Sequence, residues 1–313
     1  MYKGKRIGVV IPAYNEEQLI TETLETLPEF VDIVVVIDDC SSDATSAKVA
    51  DVQARDSRVQ LLKNEVNQGV GASVARGYQE VLQREVDLVC VMAGDAQCDP
   101  NYLHVLLDKV MDEGYDMAKG NRFLLPTETV AAMPLYRLWG NVILTILTKA
   151  ASGYWTIFDT QNGYLALKAE TLRRLDLSRI SRRYDLENSM LINLNVISAR
   201  VSDVPIPARY GEEVSGIRLW RVAPRMLLTL FFGFFQRIYR KYVLYNFHPI
   251  ALFLYSGLLL MAWGLAFGAW ATAQSIGEAT ASTGTVMLSV LPFLMGFQLV
   301  LAALVLDITN EPR

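Results

Sequence analysis

The stretch IGVVIPAYNEE at residues 7–17, followed by VDIVVVIDDCSSDAT at residues 31–45, decides the fold of this chain. Each half begins with a short, uninterrupted apolar run and ends in a cluster of polar residues. Such runs are typical of strands in a parallel sheet, because helices cover both faces of that sheet. The helical spacing from Glu16 to Leu27 predicts the helix that connects the two strands.

The same alternation continues along the chain. Val59 to Leu62 and Val86 to Met92 predict two more buried strands, and Gly71 to Arg84 predicts a helix between them. Strands that alternate with helices indicate an α/β fold, with a mostly parallel, doubly wound sheet and helices on both faces. Ligands of such sheets bind beyond the carboxyl ends of the strands. Polar clusters fall at three of these ends, at residues 12–16, 38–43 and 93–97.

Composition excludes several classes of protein. The 313 residues are 52% apolar and carry a net charge of −4, which gives no indication of a nucleic-acid partner. Three cysteines (Cys40, Cys90 and Cys98) are too few for a disulfide framework and lack the spacing of a zinc site. A reducing compartment is the simplest interpretation. The basic segment Met1 to Arg6 is followed by only a short apolar run, so we expect no signal peptide and a cytoplasmic N-terminal domain.

The apolar excess is concentrated near the C-terminus. Ile250 to Ala273 and Thr285 to Leu306 contain no charged residue, and each exceeds the roughly 20 residues that cross a bilayer. The linker Gln274 to Gly284 contains no lysine or arginine. Six basic residues precede the first run: Arg218, Arg221, Arg225, Arg237, Arg240 and Lys241. The positive-inside rule therefore predicts two spans in the cytoplasmic membrane, with both termini in the cytoplasm. The alternative is a helical hairpin buried in a soluble protein.

Two further segments have an amphipathic character. Met226 to Phe247 mixes apolar and basic residues, as helices on an anionic membrane surface do. We therefore expect a cytoplasmic catalytic domain at residues 1–212, an amphipathic juxtamembrane region at 213–249, and a two-helix hairpin with a short tail at 250–313. Residues 133–158 also have apolar residues at helical spacing, which fits either a core helix or one at the membrane interface.

Chemistry-bearing residues follow the predicted strands. Asp95 and Gln97 lie on a loop at a strand end, where oxygen ligands can hold a divalent cation against a diphosphate. Asp38 and Asp39 are suited to accept hydrogen bonds from a ribose or a base. The alternative for this pair is helix capping, although Asp43 already supplies a capping residue.

Six motifs, in order, carry a resemblance to a known family. They are Pro12-Ala13-Tyr14-Asn15-Glu16, residues 38–45, Asn67-Gln68-Gly69-Val70-Gly71-Ala72, residues 94–100, Gly120-Asn121-Arg122, and Asp159-Thr160-Gln161-Asn162-Gly163-Tyr164. Together they resemble the family 2 glycosyltransferases, and within them the branch of polyprenyl- and dolichyl-phosphate sugar synthases. The resemblance covers roughly residues 5–220, and two C-terminal spans are also common in that branch.

The resemblance implies a GT-A fold and an inverting transfer of a sugar from a GDP- or UDP-sugar to a polyprenyl phosphate in the membrane. It implies that Mg²⁺ or Mn²⁺ is held by Asp95 and Gln97, and that the catalytic residues are Asp95, Arg122 and Asp159. The implied nucleotide-sugar ligands are Pro12, Tyr14, Asn15, Glu16, Asp38, Asp39 and Gly71. It implies that Arg122 faces the lipid phosphate or the diphosphate, and that Asp159 and Gln161 border the acceptor side. Independently of the resemblance, Arg209, Ser215 and Arg218 precede the juxtamembrane helix, where they fit either a clamp on the lipid phosphate or general attraction to the membrane surface.

One position departs from the family pattern. The branch often has an Asp-x-Asp pair in the metal loop, and here Ala93 stands at the first position while Asp95 matches the second. The loss of one ligand is expected either to weaken cation binding or to shift the coordination toward water and Gln97.

Several alternatives stay open at this point. Arg122 fits a phosphate contact or a surface salt bridge, and Asp185 and Glu187 fit a catalytic role or acids favoured at the start of a helix. The chain could also be a polysaccharide-type transferase, or a nucleotide-sugar-binding scaffold on the membrane. Oligomeric state is open too, since Gly257, Gly264 and Gly268 would permit close helix packing.

Overall fold

A computed structural model describes residues 1–124, 135–207, 219–275 and 282–312, and the chain forms two compact units. The first unit covers residues 1–234, and the second covers Phe235–Glu311. The strands of the first unit are β1 Ile7–Ala13, β2 Ile33–Asp38, β3 Val59–Lys63, β4 Leu88–Val91, β5 Met117–Asn121, β6 Leu165–Lys168 and β7 Val201–Pro205.

The α-helices are α1 Ile20–Glu25, α2 Thr45–Arg55, α3 Val70–Leu82, α4 Leu103–Met111, α5 Leu135–Ser152, α6 Ala169–Arg174, α7 Leu186–Val196, α8 Leu219–Tyr239, α9 Pro249–Ser275 and α10 Thr283–Thr309. Short 3₁₀ turns occupy Pro100–Tyr102 and Leu177–Arg179, and a π-helical turn occupies Arg240–Leu244. The first helix is shorter than the sequence pattern predicts, because residues 16–19 form a turn at the end of β1.

The strands form one sheet in the order β3-β2-β1-β4-β6-β5-β7. Every described pairing is parallel except those of β6, which runs antiparallel to both β4 and β5. The predicted α/β fold with a mostly parallel sheet is therefore confirmed. Because β6 is antiparallel, it begins where β4 ends, and Leu165 pairs with Val91. This register brings residues 161–164 to the same edge as the loop after β4.

Helices cover both faces of the sheet, as the continuous apolar strands require. Ile7, Val9 and Ile11 of β1 pack with apolar residues of α1, α2 and α4. Val10, which points to the other face, packs with apolar residues of α3, α6 and α7. Both clusters are buried, and this double burial explains why strands β1 and β2 read as uninterrupted apolar runs rather than alternating ones.

Helix α5 covers most of residues 133–158, for which the sequence pattern fits either a core helix or a helix at the membrane interface. Ala151 is buried against Ile192 of α7 and against Met226 and Leu230 of α8, so one face of α5 belongs to the core. A second face of α5 is apolar and exposed, through Val142, Ile143, Ile146 and Leu147. The neighbouring α8 likewise exposes Leu227, Leu228, Phe231 and Phe232. Two adjacent helices therefore leave apolar faces uncovered in the first unit.

The second unit contains two helices that are long and apolar enough to cross a membrane, Pro249–Ser275 and Thr283–Thr309. Most of their side chains are exposed, whereas a core helix of a soluble protein would be mostly buried. The helices pack on each other through glycines, since a Cβ on Gly264 would lie 2.7 Å from the Ser289 carbonyl oxygen. Gly257 and Gly296 face each other in the same way. These glycines thus serve a contact within the chain.

Candidate active site

The functional candidates converge where β1 and β4 lie side by side in the sheet. The chain turns from β1 toward β2 on one side and reaches β4 on the other, which makes this edge the topological switch point where α/β sheets bind ligands. A cavity of about 230 Å³ lies there. Its wall includes five of the predicted site residues: Pro12, Asp95, Gln97, Arg122 and Gln161.

The loop after β4 carries the predicted cation ligands. The Asp95 carboxylate accepts a hydrogen bond from the Gln97 N–H at 3.1 Å, so the two side chains stand on one tight turn. Ala96 between them has a left-handed backbone, with φ of 56°, and its N–H donates to the Thr23 hydroxyl at 3.1 Å. These bonds fix the turn against α1 and hold Asp95 and Gln97 at the cavity wall.

Arg122 and Asp159 form an ion pair beside the cavity. The guanidinium of Arg122 donates to the two carboxylate oxygens of Asp159 at 2.8 and 3.0 Å, and the Arg122 N–H adds a third bond at 3.1 Å. Burial alone would raise the pKa of Asp159, but the bonds and charge of Arg122 outweigh it and hold that pKa below its ordinary value. Asp159 therefore stays ionised and orients Arg122, which itself lines the cavity.

This pair predicts a pH-dependent stability. We expect Asp159→Asn to destabilise the protein at pH 7 by roughly 1.5–3 kcal/mol, the range for hydrogen bonds to charged groups. Because the folded pKa of Asp159 is lowered, its stabilisation is complete above the unfolded pKa of about 3.9 and is lost as pH falls through the folded value. The urea midpoints of the wild-type chain and of Asp159→Asn, both measured in detergent, should therefore differ at pH 7 and converge near pH 3. An equal difference at both pH values would contradict the ion-pair explanation.

Asp38 and Asp39 lie beside the cavity but do not line it, and both are buried. Asp39 accepts hydrogen bonds from the N–H groups of Gln68 and Gly69 at 2.9 and 2.8 Å, and from the Asn64 amide at 2.7 Å. Asp38 accepts from the Ser41 N–H at 2.9 Å and from the Ser46 hydroxyl. Through these hydrogen bonds, the two carboxylates hold the segments that follow β2 and β3 in place.

The segment after β1 is more open. Tyr14 is exposed, and Asn15 has a left-handed backbone with φ of 57°. The Asn15 side chain accepts a hydrogen bond from the Ser42 N–H at 2.9 Å, and the Glu16 N–H donates to the Thr45 hydroxyl at 2.8 Å. The first two predicted motifs are therefore joined through hydrogen bonds, with Tyr14 left at the surface.

Gly71 is explained by packing. A Cβ at this position would lie 2.0 Å from the Ser181 carbonyl oxygen, so only glycine allows the start of α3 to approach the segment before α7. The Ala72 N–H donates to the Arg182 carbonyl at 3.2 Å across the same contact. This approach seats α7 against α3, and residues of both helices line the cavity.

Two further charged residues lie in or near the cavity. The sequence leaves Glu187 open between a catalytic role and an acid at a helix start, and it assigns Lys119 no role. Glu187, in the first turn of α7, lines the cavity together with Arg122 and Gln161. Lys119 of β5 is fully buried and donates to the Asn162 carbonyl beneath it. Burial lowers the pKa of Lys119, while the charges of Asp159 and Glu187 oppose that shift. Lys119 could not be singled out from sequence, because the charged residues around it come from distant segments of the chain.

The predicted acceptor residues are only partly described. Gln161 lines the cavity, and its amide donates to the Asn188 side chain at 2.9 Å. Arg209, Ser215 and Arg218 lie outside the described residues.

The residues present fit a cation that arrives with a diphosphate. Among the described residues, no group of three or more His, Cys, Asp or Glu side chains is arranged to hold a metal ion. Asp95 and Gln97 supply two oxygen donors on one turn, and Ala93 supplies none. Mg²⁺ commonly takes one or two carboxylates and completes its shell with substrate phosphates and water. The arrangement therefore suits a site that a bound diphosphate completes.

Comparison with proteins of known structure supports the fold. The chain superimposes on a crystal structure of glucosyl-3-phosphoglycerate synthase from Mycobacterium tuberculosis in complex with UDP, with a TM-score of 0.56. The match has 18% identity and covers 75% of this chain and 80% of the other. Further crystals of that protein contain UDP with Mn²⁺ or Mg²⁺.

Two of the sequence relatives are lipid-phosphate sugar transferases by name. The chain is 26% identical over 221 residues to a UDP-N-acetylglucosamine–dolichyl-phosphate N-acetylglucosaminyltransferase of Methanococcus voltae. This alignment covers 66% of this chain and 87% of the relative. It is 29% identical over 225 residues to the polyprenol monophosphomannose synthase of Mycolicibacterium smegmatis. This second alignment covers 68% of this chain and 80% of the relative. Residues 8–175 match the family described as Glycosyl transferase family 2, and this chain belongs to that family.

Proposed function

We propose that this chain transfers a sugar from a nucleotide-sugar donor to a polyprenyl phosphate held in the membrane. The observation that carries the proposal is the cavity at the switch point, which Asp95 and Gln97 line together with Arg122 and Gln161. A diphosphate with its cation would meet the acidic turn, and an acceptor phosphate would meet the guanidinium. The names of the two relatives support a lipid-phosphate acceptor.

The proposed transfer does not need a strong general base to activate the acceptor. A lipid phosphate has a second pKa of about 6, so it is largely ionised near neutral pH and is already a competent nucleophile. Its oxygen forms a bond to the anomeric carbon while the bond from that carbon to the nucleoside diphosphate breaks. The protein then contributes positioning and charge neutralisation. Asp159 orients Arg122 for this task, since it engages the guanidinium through both oxygens.

Asp95 and Gln97 would hold Mg²⁺ or Mn²⁺ against the diphosphate, and the ion would neutralise charge on the leaving group. The fold relative that was crystallised with UDP and these ions supports this part of the proposal. Asp38 and Asp39 would act on the nucleotide mainly by shaping the loops around it, because their oxygens already accept bonds from those loops.

We further propose that residues 1–212 form a cytoplasmic catalytic domain, 213–249 a membrane-surface region, and 250–313 a spanning hairpin. The exposed apolar faces of α5 and α8 favour contact with a lipid surface. In the second unit, Arg237 before the first candidate span contacts Asp307 at the end of the second, as the two ends of one hairpin would. The absence of lysine and arginine from residues 274–284 favours an outward-facing linker.

A transfer assay tests the proposal directly. The full chain in membranes or detergent is incubated with radiolabelled UDP- and GDP-sugars, a polyprenyl phosphate and Mg²⁺. We expect a mild-acid-labile, lipid-soluble product with one donor of the panel. Donor binding by calorimetry without any lipid-linked product would contradict the proposal and favour a nucleotide-sugar-binding scaffold. A long polymeric product would instead favour a polysaccharide-type transferase.

A further inference from the structure

We propose that Glu187 determines sugar specificity by accepting hydrogen bonds from hydroxyl groups of the sugar carried by the donor. The inference rests on the proposed function, because it assigns the occupant of the same cavity. It begins from position, since Glu187 lines this cavity with Asp95, Gln97 and Arg122. Asp95 and Gln97 would hold the diphosphate end, and the sugar attached to it would extend toward the remaining walls.

Glu187 differs from the other acids around the cavity in having its carboxylate uncommitted. Asp159 is bound by Arg122, and Asp203 accepts hydrogen bonds from the Asn121 amide at 2.6 Å and the Phe158 N–H at 2.7 Å. Asp185 accepts from the Thr229 hydroxyl at 2.7 Å and from the Ser181 hydroxyl. In the part of the chain that the structure describes, no other residue donates a hydrogen bond to the Glu187 carboxylate.

The surroundings of Glu187 keep this acceptor in place. It lies in the first turn of α7. On either side of it, Asp185 is held by Ser181 and Thr229, and Asn188 accepts from the Thr148 hydroxyl at 3.1 Å. Gly163 lies beside the carboxylate, since a Cβ there would be 3.4 Å from Glu187 Oε1, an ordinary van der Waals contact. The residues around Glu187 are thus held by hydrogen bonds, and Glu187 itself lines the cavity.

The Glu187 carboxyl group can accept hydrogen bonds in either protonation state, because an unprotonated oxygen remains in both. Burial raises its pKa above the ordinary value, and the positive charges of Lys119 and Arg122 offset only part of that shift. When it is ionised, its two oxygens can accept hydrogen bonds from two adjacent hydroxyls.

The test compares Glu187→Gln and Glu187→Ala with the wild-type full chain in detergent. The probes are whichever of UDP-glucose, UDP-N-acetylglucosamine and GDP-mannose binds most tightly, its monodeoxy analogues, and the corresponding nucleoside diphosphate. The matched control is Glu170→Gln, an exposed glutamate in the first turn of α6.

We expect both Glu187 variants to lower kcat/KM for the intact donor by about 10–100-fold, the ratio that a hydrogen bond to a charged group provides. The loss should be clearly smaller for the two deoxy analogues that each lack one contacted hydroxyl than for the other analogues. Affinity for the nucleoside diphosphate should stay unchanged, which also reports that the variants are folded. Equal losses across all analogues, or a loss of nucleoside diphosphate affinity, would overturn the inference.

Failure of the inference and failure of the proposed function are distinguishable. If no lipid-linked product forms with any donor, the proposed function fails, but calorimetry still compares nucleotide sugar with nucleoside diphosphate. Glu187→Gln should then remove the extra affinity that the sugar provides. If product forms and Glu187→Gln keeps the wild-type discrimination among deoxy analogues, the proposed function stands and the role of Glu187 is refuted.

Discussion

Asp95→Ala is expected to lower the rate of sugar transfer by about 10²–10³-fold, the usual effect of removing one preorganised electrostatic group. The effect should be large here because Ala93 leaves Asp95 as the carboxylate of the turn that faces the cavity. Initial rates at saturating donor and a range of Mg²⁺ concentrations provide the measurement. We expect the loss to appear both in kcat and in the Mg²⁺ concentration needed for half-maximal activity.

A matched variant separates charge from loop structure. Asp95→Asn keeps an oxygen that can accept the hydrogen bond from the Gln97 N–H, and so preserves the turn, but it removes the negative charge. We expect it to be nearly as inactive as the alanine variant, with an unchanged melting temperature. Wild-type turnover in Asp95→Asn would show that the cation assignment is wrong and that Asp95 serves the turn alone.

The second large effect is expected in the second unit, at the ion pair of Arg237 and Asp307. Arg237 is 0% exposed and Asp307 is 3% exposed, and the guanidinium contacts both carboxylate oxygens at 2.7 and 2.8 Å. The Tyr242 hydroxyl donates to the same carboxylate at 2.9 Å. Removing one partner leaves a buried charge uncompensated, which costs about 3–5 kcal/mol. We expect Arg237→Met or Asp307→Leu each to destabilise the protein by this amount.

The double variant R237M/D307L is the informative comparison. Replacing both charges with apolar residues removes the two opposite charges together, so the double variant should recover most of the stability lost in either single variant, although Tyr242 and Lys241 lose Asp307 as a partner. Thermal unfolding in detergent gives the measurement. The exposed pair Arg179–Asp176, whose side chains are 47% and 45% exposed, supplies the control, and Arg179→Ala should cost under about 1 kcal/mol. A double variant as unstable as the single ones would contradict this account.

Much of the fold could be predicted because its signals are local. The continuous apolar runs of β1 and β2 and the polar residues that follow them indicate a parallel sheet with ligands at one edge. The antiparallel β6 could not be inferred in the same way, because its direction depends on pairing with β4 and β5 rather than on its four residues. Yet this strand is what brings Gln161 beside the loop of Asp95.

The same distinction applies to the site residues. The sequence by itself determined which carboxylates stand at strand ends and where two long uncharged runs follow the α/β region, since both depend on residues close together in the chain. Only the tertiary structure decided that Asp39 is occupied by the N–H groups of residues 68 and 69, while Glu187 faces the cavity. Whether a carboxylate is satisfied or available depends on donors from distant segments, and no local pattern encodes those contacts.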